Sequence, residues 1–126
     1  MANNYEPGTV YPSFPKTIVL RHDSEFPEGV SYEDDSNDTL YLYAEDGCED
    51  WDKLADILKE MLNEWWNDDN DAPKYAYIKT AYYCDKMRQD EFGGFAIFVT
   101  RKEKYWVSVD QFINEQIAKM EKGEIE

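Results

Sequence analysis

Residues 39–44 read TLYLYA and residues 51–66 read WDKLADILKEMLNEWW, and between them the apolar period changes from two to about 3.6. In the first stretch Leu40, Leu42 and Ala44 share one side, with Tyr41 and Tyr43 on the other, which is the pattern of a half-buried strand. In the second, Trp51, Leu54, Ala55, Leu58, Met61, Leu62 and Trp65 fall on one helical stripe. Asp46 and Glu49 sit three apart before that stripe, a capping-box-like pair that opens the helix. Pro73 stops it, so the helix is expected to end near Trp66 or Asn67. A strand followed by an amphipathic helix gives the two layers of the fold.

The other elements are read outward from this pair. Residues 1–16 hold Pro7, Gly8, Pro12 and Pro15 and read as an irregular arm. Thr17–His22 is β-branched and apolar and reads as a short strand, and Asp23–Asp38 as an acidic loop. Downstream, Tyr75–Cys84 reads as a strand and Met87–Gly94 as a polar connection. Phe95–Thr100, an unbroken apolar run, reads as a central strand. A four-residue turn, Arg101–Lys104, leads into a strand over Tyr105–Val109. Ser108 and Gln111 form a second capping box, ahead of an apolar stripe of Val109, Phe112, Ile113, Ile117 and Met120. The expected fold is α+β, a single domain over residues 1–126. It has an antiparallel sheet of about five strands and two amphipathic helices, in the order β-β-α-β-β-β-α.

The chain is 42% hydrophobic and 16% aromatic, enough for a packed core and too aromatic for a disordered acidic tail. Its 28 acidic and 13 basic residues leave a formal charge of −15, which disfavours direct contact with nucleic acid or an anionic membrane. The imbalance is local: residues 23–73 hold 18 acids against Lys53 and Lys59, while residues 74–126 are neutral in sum. Charge needed only for solubility has no reason to concentrate in this way.

The densest part of that block is the polar side of the first helix, where Asp52, Asp56, Glu60 and Glu64 recur every fourth residue. Like charges at this spacing oppose helix formation by a few tenths of a kcal/mol per pair. The row continues into Asp68, Asp69 and Asp71, and the preceding loop adds Asp34, Asp35 and Asp38. Negative groups at regular intervals on a rigid rod imitate the phosphates of one nucleic-acid strand. Trp65 and Trp66 point about 100° apart on a helix, so Trp66 is the one expected beside the charged surface as a contact residue. These carboxylates and Trp66 are the expected partner-binding residues, and the expected partner is a basic protein or protein–RNA complex.

Catalytic and cofactor patterns are sparse. His22 is the only histidine, beside Asp23 and without a nucleophile context. Cys48 and Cys84 make no CxxC pair, and with a single histidine they make no zinc pattern. Asp34, Ser36, Asp38 and Glu45 fit a calcium-loop frame, but Thr39 stands where the frame needs glycine and a strand follows. No glycine-rich phosphate loop occurs. The chain is therefore expected to be a non-catalytic protein with no metal or cofactor. No secretory leader or membrane span is recognised, and the reading is cytoplasmic, with reduced thiols.

In size, acidity and aromatic content, and in the Asp23–Asp71 charge block, the chain resembles the small inhibitors that phages make against host defences, the anti-CRISPR and antirestriction DNA-mimic proteins. The resemblance is one of class, and no motif assigns a family. It implies a stoichiometric inhibitor that occupies the nucleic-acid site of a CRISPR effector or restriction complex inside the host bacterial cell. An immunity protein that neutralises a basic toxin nuclease uses the same physics, and a structural or assembly protein is a third reading.

Overall fold

A computed structural model describes residues 4–84 and 93–125. Its main element is a seven-stranded antiparallel sheet. Chain order runs β1 (Asn4–Tyr5), β2 (Gly8–Tyr11), β3 (Phe14–Pro15), α1 (Lys16–His22), β4 (Ser31–Asp34), β5 (Thr39–Ala44), α2 (Trp51–Asp68), β6 (Tyr75–Thr80), β7 (Tyr83–Cys84), β8 (Phe95–Thr100), β9 (Lys104–Ser108) and α3 (Val109–Glu121). Across the sheet β4 pairs β5, β5 pairs both β2 and β3, and the order continues β2-β6-β8-β9. β1 and β7 form a separate antiparallel pair.

The α+β class and the two quoted elements stand as read. Leu40, Leu42 and Ala44 are buried along β5 and the tyrosines between them are not. On α2 every apolar residue named from Trp51 to Leu62 is buried, and Ile57 joins them. These side chains meet Val10, Ala76, Ile78, Ile97 and Val99 from one face of the sheet to form the core. The cap is Asp50, four residues later than Asp46: its side chain accepts from the Lys53 N–H at 3.0 Å. α2 runs to Asp68, within two residues of the expected end.

Two N-terminal readings are corrected. The irregular arm contains β2, an interior strand that pairs Gly8–Tyr11 with Thr80–Tyr77 of β6 and Gly8–Thr9 with Ala44–Tyr43 of β5. Prolines bracket this strand without entering it. Gly8 is required there because a Cβ would lie 2.5 Å from the Trp51 ring. Thr17–His22 is a helix, not a strand. In a strand Ile18 and Val19 would point to opposite faces, whereas a helix following Pro15 turns both inward, and both are buried. Tertiary burial overrides their β-branched preference. The acidic loop also contains β4, so the sheet exceeds five strands, and the α-helices among the described residues number three.

Downstream, β8 and β9 form the expected hairpin, and Ser108 accepts from the Gln111 N–H at 3.0 Å to cap α3. The Tyr75–Cys84 strand is interrupted after Thr80, giving β6 and β7. Most of the Met87–Gly94 connection lies outside the described residues. α3 departs most from expectation: among the described residues its apolar stripe finds no cover, and no residue of the helix is buried. The helix starts directly after the edge strand β9 and makes its main contact there.

Candidate protein-binding surfaces

Along the 18 residues of α2, about 27 Å, Asp52, Asp56, Glu60, Glu64 and Asp68 form one row, all but Glu64 more than half exposed. The row is partly bridged by cations from elsewhere in the chain. Lys104 Nζ on β9 lies 2.7 Å from Asp52 and 2.9 Å from Asp56. The hydrogen bond to Lys104 holds the Asp52 carboxyl below its ordinary pKa, and the same contact raises that of Lys104. Arg21 on α1 reaches Glu64 at 3.3 Å and Asp68 at 3.7 Å. Each cation serves two carboxylates, so the row stays net negative.

At the C-terminal end of α2 the acids continue past the reach of Arg21, whose ion pairs end at Asp68. The last turn holds Asp68 and no basic residue of its own, and Asp69 and Asp71 follow. The helix dipole is negative at this end and disfavours each of these carboxylates. The Asp69 side chain accepts from the Asp71 N–H at 2.9 Å, which fixes the turn. Among the described residues neither Asp69 nor Asp71 has an ion pair, and the same holds for Asp34, Asp35 and Asp38. Asp35 accepts from the Ser13 hydroxyl and the Ser36 N–H, which keep its carboxyl below its ordinary pKa. Asp38 and Trp65 line one cleft together with Pro15, Lys16 and Leu20.

His22 closes the α1–α2 contact. One ring nitrogen contacts Glu64, and Nδ1 lies 3.0 Å from Glu25 and 3.9 Å from Glu60. Burial pulls the imidazole pKa down, but the hydrogen bonds to Glu64 and Glu25 outweigh it and raise the value above 6.5. The donor atoms of His22, Glu25 and Glu60 lie within 4.8 Å of one another, the one such group among the described residues. A proton on His22 satisfies these carboxylates, so the cluster acts as an ionic clamp between the two helices.

Trp65 packs on Phe14 of the core, with ring centroids 5.4 Å apart. Trp66 is half-covered: the Arg101 guanidinium lies over its ring, 3.7 Å from the centroid. Asn63 fixes that arrangement by donating to the Arg101 carbonyl at 3.0 Å.

A surface that sequence spacing did not assemble lies on the face of the sheet opposite α2. There the register places Tyr11, Tyr77, Phe98 and Tyr105 in one row across β2, β6, β8 and β9. Tyr11 stacks on Tyr77 at 5.0 Å, Tyr75 on Phe98 at 5.3 Å, and Tyr41 on Tyr43 at 5.5 Å. Three clefts run side by side over this face, joined through Thr9 and Tyr41 at one junction and Lys79 at the other. Glu33 and Glu45 stand at one end of this trough, and Val109 and Phe112 of α3 at the other. The alternation of tyrosines was visible in the sequence; the strand register that aligns them was not.

No family model, no curated protein and no solved structure matches the chain. No helix among the described residues is long and apolar enough to cross a membrane.

Proposed function

We propose that the protein is a non-catalytic inhibitor that binds a basic, nucleic-acid-binding target through its carboxylate surface and occupies the place of nucleic-acid phosphates. A CRISPR effector or restriction complex is the target class that this reading favours. The observation that carries it is the pair of carboxylates just past the C-terminal end of α2, Asp69 and Asp71, which have no ion pair among the described residues. Helix stability alone favours Lys or Arg at that end. An uncharged acceptor such as Asn at position 69 would keep the turn hydrogen bond, so the negative charge at Asp69 and Asp71 supports a contact outside the fold.

The row along α2 supports the same reading. One carboxylate per turn gives a spacing of about 6 Å on a rigid rod. A basic groove steers towards such a row at long range, and it competes with Lys104 and Arg21 for the same oxygens at short range. Asp34, Asp35 and Asp38 add further carboxylates without ion pairs among the described residues, and the cleft beside Asp38 offers Leu20 and Trp65 as apolar contacts. The test is competition: the target should release the protein when double-stranded DNA is added, and Asp69→Lys with Asp71→Lys should abolish binding while leaving the circular dichroism unchanged. Binding that ignores both DNA and the double substitution would overturn the reading.

A further inference from the structure

We propose that the protein is a homodimer in which the apolar stripe of α3 from each copy seats on the aromatic sheet face of the other. The chain displays two halves of one contact. Val109, Phe112, Ile113, Ile117 and Met120 lie on one side of α3, each 47–56% exposed. An isolated helix of 13 residues is marginal in water and takes its stability from a covered apolar face. Across the sheet, Tyr11, Tyr75, Phe98, Tyr105 and Val107 are each 42–55% exposed, and no helix among the described residues lies over them. A helix without a sheet and a sheet without a helix complete each other in the way that layered α+β folds require. Within one chain α3 leaves directly from the edge strand β9 and makes its main contact there, so Ile113, Ile117 and Met120 stay open.

Area, charge and shape are consistent with a second copy as the occupant. The two sets of half-open side chains together amount to roughly the 800 Å² per partner of a standard stable interface. A two-fold contact uses both surfaces of both molecules. The charge block that would make two such chains repel lies in residues 23–73, whereas residues 74–126, which supply α3 and three of the strands concerned, are neutral in sum. Between α3 and the sheet lies a cleft of about 380 Å³ lined by Ala96, Val107, Val109 and Phe112. This is room for apolar side chains of an incoming helix.

The experiment is sedimentation velocity on the full chain, with Ile117→Glu and Phe98→Glu as separate variants. Both positions are exposed in the monomer, so each variant should keep the wild-type circular dichroism. The expected result is a wild-type dimer at micromolar concentration that high salt does not dissociate. Each variant should weaken it by roughly 30-fold or more, the threshold of an interface hot spot. A wild-type chain that stays monomeric up to its solubility limit would overturn the proposal, even if a basic partner proved to bind through Ile117. A dimer lost in Ile117→Glu but kept in Phe98→Glu would also overturn it, because α3 would then pair with α3. Asp69→Lys with Asp71→Lys should leave the dimer intact, so this outcome is independent of target binding.

Discussion

Lys104 Nζ sits 2.7 Å from the Asp52 carboxylate, joining the edge strand β9 to the first turn of α2 across 52 residues of chain. Trp106, two residues along the same strand, donates to the same carboxylate at 3.4 Å. The contact holds the acidic helix in place and at the same time screens its N-terminal half. Lys104→Ala should therefore separate two effects. Stability should fall by at most about 1 kcal/mol, because both partners are partly exposed. Affinity for a basic target should rise, because Asp52 and Asp56 lose the cation they share. Thermal melts and titration calorimetry read the two quantities separately.

The acids at the end of α2 should trade stability for binding. In Asp69→Asn with Asp71→Asn, the side-chain amide oxygen introduced at position 69 can still accept from the backbone N–H of position 71, so the turn is kept while two charges opposing the dipole are removed. A gain of about 0.3–1 kcal/mol is expected. Target binding should weaken in the same variant. Denaturant unfolding that shows a loss of stability would count against the electrostatic account of this turn.

His22 should make stability depend on pH. Its folded-state pKa lies above 6.5, so the contribution of the α1–α2 clamp is complete below about 6.5 and is lost as pH rises through the higher folded-state value. The melting temperature should decline over this window more steeply in the wild type than in His22→Gln. Equal slopes would mean that the His22 pKa does not change on folding, which would contradict the clamp.

The core should respond as a single packed layer. Met61 and Leu58 are fully buried between α2 and the sheet. Truncating either to alanine should cost about 2–5 kcal/mol, measured by urea denaturation. Arg101→Ala should instead leave stability within about 1 kcal/mol, and it should shift Trp66 fluorescence to the red as the ring loses its cover.

What could be read from the sequence follows from how local each signal is. β5, α2 and β8 each carry a period long enough to decide their state, and Ser108 announces α3 with a cap three residues long. β2 and α1 are short, lie among prolines, and take their form from burial against α2, which no local pattern encodes. The α3 stripe shows that the helix needs cover without saying where the cover is. The carboxylates of α2 were visible as a row, but Lys104 and Arg21, which bridge them, come from distant strands and helices. The aromatic row of Tyr11, Tyr77, Phe98 and Tyr105 depends on the register of four strands and becomes visible only once they pair.

The carboxylate surface is tested most directly by capturing basic nucleic-acid-binding proteins from a bacterial lysate on immobilised protein, with and without double-stranded DNA, at low and high salt. The expected result is a captured nuclease complex that both DNA and salt displace and that the Asp69→Lys, Asp71→Lys protein fails to hold. A captured partner that stays bound under all three challenges would contradict phosphate mimicry.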